Sequence, residues 1–132
     1  MVLVDTSVWV DFFNGQTTAH TEKLDSLLSS TIVVVGDLIL AEVLQGFRAD
    51  KDYKLAKESL QALELVSLCS VAHAIKSADY YRLLRKKGIT IRKTIDCPIA
   101  TYCIEHKWPL LYSDNDFAPF TEHLSPKAAL LL

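Results

Sequence analysis

The chain opens on three apolar residues, Val2-Leu3-Val4, followed at once by an acid and two hydroxyls, Asp5-Thr6-Ser7. This order predicts a short buried strand and then a helix capped by a hydroxyl, with Val8, Trp9, Phe12 and Phe13 at helical spacing behind the cap. Gly15 closes that helix, and Leu24, Leu27 and Leu28 predict a second one. The β-branched run Ile32-Val33-Val34-Val35 reads as a buried strand stopped by Gly36. Asp37 is placed to cap a helix from Leu38 to Gln45, with Gly46 where helices commonly end. Tyr53, Ala56, Leu60 and Leu63 mark a helix within 52–63, Leu65-Val66-Ser67-Leu68 a third strand, and 71–87 a long helix ending at Gly88. A further helix runs from Asp96 to His106 with Ile99, Tyr102 and Cys103 on one face, then Pro109-Leu110-Leu111-Tyr112 forms a strand ending at Ser113-Asp114. Leu130-Leu131-Leu132 reads as a final strand or packing segment.

Short apolar strands alternating with helices imply a parallel sheet covered on both faces, an α/β chain on the three-layer plan. The 132 residues suffice for one continuous core, and no repeat, low-complexity tract or linker divides them, so residues 1–132 are expected to form a single domain.

Composition and charge add further constraints. Half the residues are hydrophobic, which suggests an apolar surface that meets another protein. Cys69, Cys97 and Cys103 are odd in number and form no Cys-x-x-Cys pair, so neither a disulfide framework nor a zinc ribbon is indicated, and a reducing cytoplasm fits best. The first apolar stretch is too short for a secretory signal and no later run is long enough to span a membrane, so a soluble protein is expected. A net charge of -2 argues against a surface that grips nucleic acid everywhere; any such contact must be local. The basic residues do cluster, as Arg82, Arg85, Lys86, Lys87, Arg92 and Lys93, just ahead of Asp96.

Ligands of open parallel sheets bind beyond the carboxyl ends of the strands. Asp5 and Asp114 follow strands directly or after one residue, which can bring them to one mouth, although either alone is an ordinary turn or cap residue. Glu42 stands among apolar neighbours in Leu38-Ile39-Leu40-Ala41-Glu42-Val43-Leu44, a helix expected to be buried nearly all round. A desolvated carboxylate there needs a metal or a base such as Arg48. Asp96 or Thr94 is expected to cap the next helix, Asp96 being favoured because Pro98 then falls in the first turn. Converging carboxylates repel unless a cation is present, and oxygen-only ligands favour Mg²⁺ or Mn²⁺ over Zn²⁺. His20, His73, His106 and His123 show no ligand spacing. An aspartate-nucleophile phosphohydrolase is disfavoured by Ser7 where a second acid belongs, and a receiver-like domain by the lack of adjacent acids after the first strand.

Four segments, Val4-Asp5-Thr6-Ser7-Val8-Trp9, Ala41-Glu42-Val43-Leu44-Gln45-Gly46, Ile95-Asp96-Cys97-Pro98-Ile99-Ala100 and Ser113-Asp114-Asn115-Asp116-Phe117, taken in order, resemble the PIN-domain nucleases, and among them the VapC toxins of type II toxin–antitoxin modules. The resemblance covers essentially the whole chain. It implies a PIN-like three-layer α/β/α sandwich with a central, mainly parallel sheet. It also implies an Mg²⁺-dependent endoribonuclease, with Mn²⁺ as substitute, that is usually a homodimer and is neutralised by a VapB-like antitoxin whose C-terminal segment covers the active site.

Carried over residue by residue, Asp5, Glu42, Asp96 and Asp114 match the acidic quartet, and Asp116 an additional acid. Ser7 or Thr6 matches the hydroxyl that orients the first carboxylate, and the sequence does not decide which. Ser113 stands where Thr, His or Asn is common, and Pro98 where Leu is frequent, which leaves the start of the helix and the aim of Asp96 open. In this reading a carboxylate-held metal activates water against RNA phosphodiesters. Arg82, Arg85, Lys86, Arg92 and Lys93 are candidates for phosphate contacts. Trp9, Phe12 and Phe13 stack bases or receive antitoxin side chains, unless they are buried against the sheet or in a dimer interface.

Overall fold

A computed structural model describes residues 1–123 and 130–131. Its strands are β1 (Val2–Val4), β2 (Val33–Gly36), β3 (Glu64–Val66), β4 (Leu110–Leu111) and β5 (Leu130–Leu131). They pair in the order β3-β2-β1-β4-β5, and every pairing is parallel. The helices are α1 (Thr6–Phe13), α2 (Ala19–Ser30), α3 (Asp37–Gln45), α4 (Asp50–Gln61), α5 (Val71–Lys86), α6 (Asp96–His106) and α7 (Ala118–His123), with a 3₁₀ turn at Asn115–Phe117.

Strand order builds outward from β1 through β2 to β3, then jumps to β4 on the other side of β1. Because parallel crossovers are right-handed, this reversal places α1 to α4 on one face of the sheet and α5 and α6 on the other. The packing agrees: α1 touches α2 and α3, α3 touches α4, and α5 lies along α6. The result is the expected α/β/α sandwich, with its switch point between β1 and β4. Leu3, Val4, Val34, Val35, Leu110 and Leu111 are fully buried between the two helical layers.

Several local expectations shift. The cap of α1 is the Asp5 carboxylate, which accepts from the Ser7 amide, rather than a hydroxyl. α3 starts at Asp37 itself; the Asp37 carboxylate accepts from the Leu68 amide at 2.9 Å and so pins the chain leaving β3 to the start of α3. β3 ends before Ser67, and Leu68 is a core residue whose side chain fills the space beside Gly36, where no Cβ fits. α3 is not buried all round: Ile39 and Val43 are, but Ala41 is exposed. Trp9 is buried in the core, stacked on Phe13 with centroids 5.8 Å apart, while Phe12 and Phe13 are only half-buried. Leu130 and Leu131 form the last strand; Leu132 lies outside the described residues. Among the described residues no helix is long and apolar enough to cross a membrane.

Candidate active site

β1 and β4 run side by side and end together, and the Asp5 amide donates to the Leu111 carbonyl at 2.9 Å. Beyond this point lies the switch point, where ligands of parallel sheets bind. Asp5 Oδ2 accepts from the Ser7 hydroxyl at 2.6 Å and from the Ser7 amide at 3.1 Å. The same hydroxyl accepts from the Ser113 amide at 3.3 Å, so Ser7 ties the segments following the two strands. Thr6 plays a different part: its hydroxyl donates to Glu42 Oε1 at 2.8 Å and sets the half-buried α3 carboxylate against the start of α1. The structure thereby separates the two hydroxyls, Ser7 orienting Asp5 and Thr6 orienting Glu42. Among the described residues no ion pair joins Glu42 to Arg48.

Asp96 does not cap α6. Thr94 and Ile95 already turn, with the Asp96 amide donating to the Lys93 carbonyl at 3.2 Å and the Cys97 amide to the Thr94 carbonyl at 3.3 Å. No side-chain cap forms, and Asp96 enters the first helical turn with its carboxylate directed elsewhere. The residue is 4% exposed, and Oδ2 is buried with no hydrogen-bond partner. Pro98 sits two residues later, where its missing N–H costs the helix nothing.

Asp114 caps the 3₁₀ turn through Oδ1, which accepts from the Asp116 amide at 3.0 Å. Its Oδ2 accepts from Lys93 Nζ at 2.6 Å. Asp116 completes the group: Oδ2 lies 3.7 Å from Lys93 Nζ and Oδ1 lies 3.9 Å from an Arg92 guanidinium nitrogen. One carboxylate oxygen from each of Asp96, Asp114 and Asp116 falls within 4.8 Å of the others.

The charges record this crowding. Burial, then the field of Asp5, lifts the Asp96 carboxyl from the ordinary 3.8 to about 7; Lys93 opposes the rise, and Asp114 and Asp116 add to it. Burial also raises Asp5, against hydrogen bonds from Ser7 and Thr6 and with a contribution from Glu42. Burial pushes Asp114 upward too, but the Lys93 hydrogen bond, the Asp116 amide and Arg92 outweigh it and hold Asp114 below its usual range. Lys93 is raised, chiefly by its hydrogen bond to Asp114.

The site residues read from the sequence therefore fall into three groups. Asp96, Asp114 and Asp116 meet, and Asp5 reaches Asp96 and Glu42 through its field. Arg82, Arg85 and Lys86 stand exposed on α5; Arg82 lines an apolar groove of about 390 Å³ with Tyr81, Thr94, Cys97 and Pro98 between α5 and α6. Arg92 and Lys93, grouped by sequence with those bases, face the carboxylates instead. Sequence reasoning missed that role, and the signal for it is only that Lys93 stands three residues before Asp96.

A buried carboxylate oxygen without a donor, beside two more carboxylates, is the donor set of a hard divalent cation: oxygen only and negatively charged, with an oxygen left over that nothing in the fold satisfies. Zn²⁺ is a poorer match, since no histidine or cysteine belongs to the group.

Comparison with known proteins supplies the remaining findings. The model of the PIN domain family matches residues 2–122. The chain is 28% identical over 119 residues to ribonuclease VapC11 of Mycobacterium tuberculosis, a match covering 89% of each protein. Among solved structures it is similar to Mycobacterium tuberculosis VapC20, described as a Sarcin-Ricin loop cleaving toxin, with TM-score 0.68 and 15% identity over 89% of this chain and 93% of the other. A toxin–antitoxin complex from Klebsiella pneumoniae aligns with TM-score 0.68 and 20% identity over 89% of this chain and 91% of its counterpart.

Proposed function

Since the chain belongs to the PIN domain family, we propose that it is a divalent-metal-dependent endoribonuclease, the toxin of a type II toxin–antitoxin pair, acting in the cytoplasm. The observation that carries the reading is the buried, donorless Asp96 oxygen beside Asp114 and Asp116 at the sheet's switch point. Asp96 and Asp114, with Asp116, hold Mg²⁺ or Mn²⁺; Asp5 and Glu42 complete the acidic wall. A divalent cation in that position lowers the pKa of water and screens charge on a phosphodiester.

The chain's own residues supply the rest. Ser7 fixes the Asp5 carboxylate while satisfying the start of α1. Thr6 fixes the Glu42 carboxylate. Arg82, Arg85 and Lys86 offer positive charge to the RNA backbone along the exposed face of α5. Hydrolysis in such a site requires neither a protein nucleophile nor a histidine.

An antitoxin partner and self-association fit the same reading. Val71 and Ile75 are 81% and 61% exposed one turn apart on α5, an apolar surface suited to a second protein. VapC11 is named a ribonuclease, and the Klebsiella pneumoniae structure is of a toxin–antitoxin complex.

The decisive experiment incubates purified, antitoxin-free protein with total cellular RNA and Mg²⁺ or Mn²⁺, beside EDTA and Asp96→Asn controls, and sequences the product ends. Discrete metal-dependent cuts that vanish in the variant are expected. Absence of cleavage in transfer, ribosomal and messenger RNA by folded, metal-bound protein overturns the proposal.

A further inference from the structure

We infer that Lys93 is a resident counter-cation of the acidic cluster, one that the divalent ion displaces on binding; the inference rests on the metal-site reading above. Lys93 Nζ makes its shortest contact, 2.6 Å, with Asp114 Oδ2 and lies 3.7 Å from Asp116 Oδ2. These are two of the three carboxylates whose oxygens come within 4.8 Å of one another. A small hard ion holds oxygens at about 2.1 Å, so it must sit inside the ring that those oxygens form. An ammonium in contact with the same carboxylates would face the ion across a few ångströms, where like charges repel. Both cannot keep their best positions.

The fold makes the exchange simple. Lys93 lies in the segment before α6, outside any helix or strand, and its side chain is half exposed. Its four-carbon stem can swing the ammonium into solvent without moving the backbone. The Lys93 carbonyl, which accepts from the Asp96 amide, stays in place and keeps the start of α6 anchored. Arg92 provides the contrast: its guanidinium stands 3.9 Å from Asp116 Oδ1 and its side chain is 81% exposed, so it contributes field without occupying the centre.

Displacement has a measurable cost in metal affinity. In Lys93→Gln the ion enters without competition, and calorimetric titration with Mn²⁺ is expected to give a Kd about 5–10-fold tighter than that of the unaltered chain, roughly 1.0–1.4 kcal/mol. Arg92→Gln removes the same unit of charge next door and is expected to change Kd less than about 2-fold. An independent readout follows Lys93 itself: acylation by a water-soluble succinimidyl ester, read by peptide mass spectrometry, is expected to rise at Lys93 when Mg²⁺ is added. Equal affinities for Lys93→Gln and the unaltered chain, weaker binding in Lys93→Gln, equal effects of the two variants, or acylation that ignores Mg²⁺ would each overturn displacement while leaving the metal site intact. Failure of every form to bind Mn²⁺ sinks the metal-site reading, and this inference with it.

Discussion

A carboxylate that is 4% exposed, with one oxygen lacking any donor, is held in the metal-free protein against its own solvation. For Asp96 this fixes a sign. The folded chain keeps the Asp96 proton up to about pH 7, whereas an unfolded chain releases it near 3.8, so the folded state binds more protons between these values. Metal-free stability must therefore fall as pH rises through that window, and Asp5, raised in the same direction, adds to the fall. Asp114 acts oppositely: its lowered pKa contributes stability that is present above the unfolded value and lost as pH drops through the folded one. Asp96→Asn removes the Asp96 share of this penalty. In EDTA at about pH 7.5 the variant should gain ~1–2 kcal/mol, or about 4–8 °C in Tm, with a smaller gain at about pH 5.5. Thermal unfolding at the two pH values checks this, and a variant less stable than the parent at the higher pH would refute the burial argument.

The hydroxyls give a second prediction at the same scale. Ser7→Ala strips Asp5 of its 2.6 Å donor and frees the Ser113 amide, leaving the Ser7 amide at 3.1 Å to hold Oδ2 less firmly. By the usual weight of groups that orient metal ligands, Mn²⁺ affinity should drop by about 10–100-fold. Thr6→Val disturbs only Glu42 and should cost less, because Asp5, unlike Glu42, is the charged neighbour that acts most strongly on Asp96. A titration in which both variants bind Mn²⁺ like the parent would remove the positioning role of both hydroxyls.

At the scale of elements, the site depends on how tightly β2, β3 and α3 close on one another. Gly36 ends β2 where a Cβ would run into the buried side chain of Leu68, and the Leu68 amide is in turn fixed by Asp37. Gly36→Ala should therefore destabilise by about 1–3 kcal/mol, an overpacking cost. Leu68→Ala leaves a cavity worth about 2–5 kcal/mol, yet the double variant should lose less than the sum because the new methyl fills part of the hole. Denaturant unfolding of the four chains measures that coupling, and simple additivity would show that the two side chains do not compete for the same space.

What could be read from the chain follows the same division. Strands β1, β2 and β4 were legible because each is a run of apolar residues cut off by a polar residue or glycine. The acids after β1 and β4 were legible because a strand end in a parallel sheet is where ligands gather. Caps were not: Asp96 has the residue type and position of an N-cap, and only the turn at Thr94–Ile95, a tertiary outcome, releases it from that task. Nor was the environment of Glu42 legible, since its apolar neighbours in sequence wrap around the helix: Ile39 and Val43 are buried, Leu38, Leu40 and Leu44 half-buried, and Ala41 faces solvent. Lys93 was unreadable for a related reason. A basic run looks the same whether it tracks a phosphate backbone or folds back on its own acids.

For the whole molecule, the net charge of -2 means that RNA cannot be held by a general positive field. Approach to an acidic cluster must be guided by a few local cations, and since Arg92 and Lys93 face Asp114 and Asp116 in the metal-free protein, the standing positive charge outside the cluster is that of Arg82, Arg85 and Lys86 on α5. Arg85 also stands over the Tyr81 ring, with its guanidinium carbon 5.8 Å from the centroid, which keeps the charge close to the helix surface. Each phosphate contact to single-stranded RNA contributes about 0.7 to the slope of log affinity against log salt. Replacing all three bases by Gln should therefore flatten the slope by about 2 and weaken binding strongly at low salt but little at high salt. The assay is fluorescence anisotropy with a labelled oligoribonucleotide that the protein cleaves, using Asp96→Asn as the common background so that the ligand stays intact. An unchanged slope would move the RNA track off α5. A slope that instead collapsed on replacing Arg92 alone would place it across the mouth of the acidic cluster, where that side chain is 81% exposed and free to turn outward.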